Sequence, residues 1–164
     1  CRSALMAAVA VAGLLAMAHA HSQPKGAVGG RPAPTQVEPF EVGTLQQWQS
    51  TMRRPTWVAF TATWCAVCPA VIADLSRIAR QHPRQPLVWT VVIDVPPGED
   101  DLKLLTQEHL RSADRVFAFE GLAQAIRHSV DPAWRGSVPH VALMEPGGPM
   151  RLFSGRPPPA ELAR

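Results

Sequence analysis

Cys65-Ala66-Val67-Cys68 lies between an apolar, β-branched segment and an amphipathic one, and that order restricts the folds open to this chain. TWVAFTA (56–62) reads as a buried strand. Residues 67–81 place Val67, Val71, Leu75 and Ile78 three or four apart, which predicts an amphipathic helix stopped by Pro83. Across one helical turn the two sulfurs come within bonding reach. At the helix N-terminus Cys65 meets unpaired N–H groups and the positive end of the helix dipole, which stabilise a thiolate and lower its pKa. Cys65 is therefore the expected nucleophile. Cys68, one turn in and more buried, is expected to resolve the mixed disulfide by attacking Cys65. Pro69 falls in the first helical turn, where its missing N–H does little harm.

Three other uses of such a pair fit less well. A structural bridge enclosing two residues restrains little of the unfolded chain. Half a zinc site needs a second ligand pair at similar spacing, and the sequence has none. A pair of reduced core thiols does not suit an oxidising compartment. The compartment is read from the N-terminus. Residues 4–18 (ALMAAVAVAGLLAMA) are an uncharged apolar run after Arg2, short of the roughly 20 residues that span a bilayer. The run ends in Ala18-His19-Ala20, a small-x-small pattern. Residues 1–20 are expected to be a signal peptide cleaved after Ala20, the alternative being an uncleaved membrane anchor facing the periplasm. No Cys follows the run, so a lipoprotein is not expected. Cleavage removes Cys1, the odd one of three cysteines, and leaves Cys65 and Cys68 as a pair in an exported chain.

Residues 21–39, rich in Pro and Gly and without apolar period, read as a linker, which puts the domain at 40–164. Within it, Thr44-Leu45-Gln46-Gln47 reads as a capping-box start for a short helix ended by Pro55. LVWTVVIDV (87–95) is the strongest strand signal and suits a central parallel position. Helical periods cover 100–112 and 121–130, with the strand RVFAF (115–119) between them. HVALME (140–145) and MRLFS (150–154) flank Pro146-Gly147-Gly148-Pro149 and read as a hairpin, and Pro157–Pro159 can open a last helix. This alternation gives an α/β fold with a mixed sheet. Apolar residues at 46% supply a core for one domain, and a net charge of +3 is too small and scattered to indicate nucleic acid. Without a phosphate or nucleotide motif, no cofactor and no metal is expected.

Ser137-Val138-Pro139-His140 precedes the hairpin. A Pro at the start of a strand can be cis, although an ordinary trans residue fits the same position. Held beside the cysteine pair, the loop would offer Val138 backbone groups to an extended peptide. "ATWCAVCPAVIADL" and "DPAWRGSVPHVALMEPGGPMRLFSG" resemble the thioredoxin-like proteins of the TlpA/ResA group, exported bacterial thiol-disulfide oxidoreductases, and the resemblance covers residues 40–164. It implies a thioredoxin-like fold whose central mixed sheet has four to five strands flanked by helices, with a helix-strand insertion at about 97–120 after the central strand. It also implies Cys65 as nucleophile, Pro139 as a cis residue, and reductase work on disulfide-bonded protein substrates. A separate redox partner, such as a membrane thiol reductase, would reset the pair. Trp64 is expected to shield the thiol edge and, with Val138 and Pro139, to bind substrate.

The chain departs from that group at several positions. The buried Asp that thioredoxins carry six residues before the first Cys is Ala59 here, and the Glu that ResA-type proteins place three residues after the second Cys is Val71. Asp74 lies on the polar face of its helix. Where relatives have Pro before the second Cys and Thr after the cis-Pro, this chain has Val67 and His140. His140 is a candidate proton relay: as a cation it would favour the Cys65 thiolate, and as a neutral base it would accept the Cys68 proton. A strand residue turned away into a polar pocket is the alternative. Two rival functions remain open from sequence. One is a copper-handling module with Cys65, Cys68 and His140 as soft ligands for Cu(I); the other is a binding module that kept the fold and lost turnover.

Overall fold

A six-stranded mixed sheet organises residues 31–164, the part of the chain described by the computed structural model. The expected signal segment, its cleavage point after Ala20 and Cys1 lie outside the described residues, as does the linker up to residue 30. The elements run β1 (Val37–Phe40), α1 (Thr44–Thr51), β2 (Thr56–Thr61), α2 (Cys68–Gln81), β3 (Leu87–Val92), α3 (Asp101–Thr106), α4 (Glu108–Arg111), β4 (Arg115–Phe119), α5 (Ala123–Val130), β5 (His140–Met144), β6 (Arg151–Ser154) and α6 (Pro159–Leu162). Strand order is β1-β4-β3-β2-β5-β6. The first four in that order pair in parallel, while β5 and β6 are antiparallel. This is a thioredoxin-like α/β fold.

Period-2 alternation along the central strands divides the core into two layers. Trp57, Ala59, Val88, Val141 and Leu143 pack on one face with Cys65, Cys68 and the α2 residues Ile72 and Leu75, joined by Leu104, Leu110 and Leu162. Val58, Phe60, Val91, Ala142 and Met144 face the other way, onto Leu45 of α1, Ile126 and Val130 of α5, and Trp134. Every residue of β2 is buried, as its unbroken apolar run requires.

The structure corrects the sequence reading at three places. The sheet has six strands, not four or five, because β1 forms inside the stretch read as linker. Val37 and Phe40 bury their side chains, and all four β1 residues pair with β4. Pro39 is tolerated because β1 is an edge strand. Ordered contacts begin earlier still, since the Arg31 guanidinium donates to the Pro86 carbonyl at 2.9 Å and to Asp114 at 2.7 Å. The helix expected at 100–112 is broken at Gln107, whose backbone is extended (φ −71°, ψ 126°). Finally, Thr44 does not cap α1. Gly43 precedes the helix at φ +85°, a left-handed conformation that suits glycine, and Thr44 Oγ1 instead accepts the Glu41 N–H at 2.9 Å.

Candidate active site

The loop from Ala62 to Val67 joins the end of β2 to the start of α2 and carries the cysteines. Asp94, just past β3, fixes it from the side: its carboxylate accepts the Thr63 N–H at 3.0 Å and the Thr63 hydroxyl at 2.6 Å. The Cys65 N–H then donates to the Ala62 carbonyl at 3.1 Å. Sequence reasoning passed over both Asp94 and Thr63. A lone carboxylate near the end of the otherwise apolar run 87–95 was the available signal.

Cys65 and Cys68 form a disulfide with their Cα atoms 5.5 Å apart. Cys68 opens α2 instead of lying one turn inside it, and Cys65 belongs to the preceding turn. The expected asymmetry nevertheless holds, because Cys65 is 8% exposed and Cys68 is fully enclosed. The Cys68 N–H donates to Cys65 Sγ at 3.2 Å. That amide is one of the free donors at the helix N-terminus, so it is placed to stabilise charge on the outer sulfur once the bond is reduced. Of the two cysteines, only Cys65 retains any exposure through which a partner could approach.

The second half of the site arrives from the other end of the fold. The Val138–Pro139 peptide bond is cis, and the Val138 carbonyl oxygen lies 3.7 Å from Cys65 Sγ. The segment is held at both ends. Trp134 Nε1 donates to the Ser137 carbonyl at 2.8 Å, and the Gly155 N–H, just after β6, donates to the Pro139 carbonyl at 2.8 Å. Trp64 is 66% exposed and Val67 61%, so the rim beside Cys65 is an open apolar surface. Trp64, expected to shield the thiol edge, leaves most of its surface in solvent, where a partner can meet it.

His140 goes elsewhere. As the first residue of β5 it pairs with Phe60, and its side chain joins the layer opposite α2. The imidazole stacks on Trp134 at 4.6 Å between centroids, with 10° between the planes, and meets Phe60 at 6.1 Å. It is therefore no direct proton relay for Cys68, and it does not join the cysteines as a third ligand. Among the described residues no group of three His, Cys, Asp or Glu side chains could hold a metal ion, so the copper ligand set is not assembled. Nor does a carboxylate approach from α2: Asp74 pairs at the surface with Arg77 and Arg156. Beside Ala59 in the sheet stands Thr90, fully buried, its hydroxyl without a hydrogen-bond partner.

Burial pushes the His140 pKa below its usual 6.5, and the Asp131 carboxylate, 3.8 Å from Nε2, offsets part of that shift. A base with a lowered folded-state pKa leaves the unfolded chain holding more protons as pH falls below about 6.5, so stability should decline there. Half-buried His109 shifts the same way through burial and adds to the decline. Thermal melts between pH 7 and 5 should therefore show a shallower fall in Tm for His140→Gln than for wild type. Parallel curves would mean that His140 takes up its proton without penalty.

No family model matches the chain, and no curated protein matches it. Several solved structures are similar. One is a secreted Mycobacterium tuberculosis disulfide oxidoreductase homologous to Escherichia coli DsbE, 15% identical, covering 67% of this chain and 78% of that one with a TM-score of 0.46. Another is the N-terminal domain of PilB from Neisseria gonorrhoeae, 21% identical, with coverage of 69% and 76% and a TM-score of 0.48. A third is an exposed lipoprotein thioredoxin, Etrx1, from Streptococcus pneumoniae, 18% identical, with coverage of 70% and 82% and a TM-score of 0.45. The chain's own cysteine pair and the Val138–Pro139 loop, rather than these likenesses, carry the function proposed below.

Proposed function

We propose that the protein is an exported, periplasmic thiol-disulfide oxidoreductase of the TlpA/ResA type that reduces disulfides in other proteins. The observation that carries this reading is the asymmetric pair itself. Cys65 keeps a small exposure, and its sulfur takes an amide hydrogen bond and lies against a backbone carbonyl, while Cys68 is fully enclosed.

In the reaction, the Cys65 thiolate attacks one sulfur of a substrate disulfide. A Cys65–substrate bond forms, and the substrate's other sulfur leaves as a thiolate that takes a proton from solvent. Cys68 then loses its proton and attacks Cys65 Sγ, which releases the second substrate thiolate and restores the Cys65–Cys68 bond. Two electrons pass from the pair to the substrate, and a separate dithiol partner returns them by the same exchange. Val138, Pro139 and the exposed face of Trp64 bind the substrate segment around its cystine. Export follows from the N-terminal apolar run and its Ala18-His19-Ala20 end. Among the described residues no helix is long and apolar enough to cross a membrane.

The direction of electron flow is tested by equilibrating the Cys65–Cys68 couple with glutathione. A reductase should show a potential near that of thioredoxin, roughly −270 mV, whereas a value near about −120 mV would make the protein an oxidant. Insulin reduction should accompany the lower value.

A further inference from the structure

The loop that carries Val138 to Cys65 also forms one wall of an open cleft of about 460 Å³. Arg127 and His128 of α5 line it, together with Leu122, Trp134 and Arg135. No Asp or Glu is among its lining residues. Most arginines near the sheet are committed elsewhere, as Arg31 is to Asp114, Arg115 to Glu38 and Arg151 to Glu161. Among the described residues Arg127 and Arg135 have no ion-pair partner. The carboxylate nearest in sequence, Asp131, is occupied by the Ala133 N–H at 2.8 Å and faces His140.

The Arg127 stem is held in place. A Cβ at Gly136 would lie 3.3 Å from Arg127 Cδ, so the loop passes directly over this side chain, and Gly136 takes φ +94° to do so. Two guanidinium groups thus share one cleft without a counter-charge, over a Trp134 that is itself fixed to Ser137 and stacked on His140. An arginine fork suits a carboxylate.

We propose that this cleft binds an acidic side chain of the substrate protein, a few residues from the cystine under attack, and so selects for acidic substrate segments. The proposal rests on the oxidoreductase reading above and names the substrate class of the same site. Arg135 lies three residues from Val138 on the same loop, so the acidic side chain is sought within a few residues of the reacting Cys. The apolar rim at Trp64 and Val67 then takes the cystine, and the arginines take the charge.

The test compares two disulfide-linked peptides that differ only by Asp or Asn three residues from the cysteine, placed on either side in turn. In wild type at low ionic strength, kcat/KM should favour the Asp peptide on one side by about five-fold, and added salt should shrink the ratio. Arg127→Gln with Arg135→Gln should bring the ratio to one, Arg127→Lys with Arg135→Lys should keep most of it, and Arg135→Glu should reverse it. Because each ratio is taken within one protein, a change in the active fraction cancels. The same peptides with Ser for Cys, titrated onto the oxidised protein, read the preference without turnover. Equal handling of Asp and Asn peptides by wild type, or a preference that survives both Gln substitutions, overturns the proposal. Failure to reduce any peptide, with the acidic preference still present in binding, would overturn the oxidoreductase reading and leave the cleft assignment standing.

Discussion

Cys68→Ser should trap the protein on its substrates. Cys65 can still attack a disulfide in this variant, but the enclosed position behind it no longer carries a thiol to release the product. Mixed disulfides should therefore accumulate, seen as adducts on non-reducing gels that vanish with added dithiothreitol. Cys65→Ser should form no such adducts and should lower insulin reduction by about 10³-fold or more, since the nucleophile itself is gone. The order of the two residues is the informative part. If Cys65→Ser were the variant that accumulates adducts, the enclosed sulfur would be the attacking one, and the role of the Cys68 amide at 3.2 Å from Cys65 Sγ would have to be abandoned. Equal low rates for wild type and Cys65→Ser would remove the enzymatic reading and favour a binding module.

The second large effect is expected far from the sulfurs. Phe60 is fully buried in the layer opposite α2, with its ring 5.0 Å from Trp134, 5.5 Å from Phe40 and 6.3 Å from Phe119. Phe60→Ala should cost about 3–5 kcal/mol, a large fraction of the roughly 5–15 kcal/mol that holds a domain together. Phe60→Leu keeps most of the volume and should cost less than about 1.5 kcal/mol. Urea unfolding followed by tryptophan fluorescence reads both. Phe60 also supports Trp134 and His140, which hold the loop running to Val138. At temperatures where Phe60→Ala remains folded, its exchange rate should therefore fall as well. A loss below about 1.5 kcal/mol in the Ala variant would mean that this aromatic layer closes over the gap.

Much of the fold was legible because the strongest signals are local. Unbroken apolar runs at 56–62 and 87–95 mark strands buried on both faces, and both became central strands. The 3.6-residue period after the cysteines became α2, and Pro-Gly-Gly-Pro became the turn between β5 and β6. Elements with weak local signals were misread. Val37–Phe40 has only two buried side chains and a Pro, and it becomes a strand because β4 lends it a partner 79 residues away. Gln107 carries no breaker signal, yet the helix ends there.

The same division runs through the site. The spacing of Cys65 and Cys68, between strand and helix, determines by itself that one sulfur faces out and the other in. A four-residue motif at a helix start has little conformational choice. Which distant groups meet that motif is another matter, because facing along a strand depends on register, and a one-residue difference sends a side chain to the opposite layer. Val141 faces the layer of Cys65, while His140, one residue before it, turns the other way to stack on Trp134. Asp94 likewise gains its meaning from Thr63, a neighbour brought to it only by the pairing of β2 and β3. Sequence determined the chemistry of the cysteine pair; the tertiary structure decided what surrounds it, because those contacts join segments whose proximity no local period encodes.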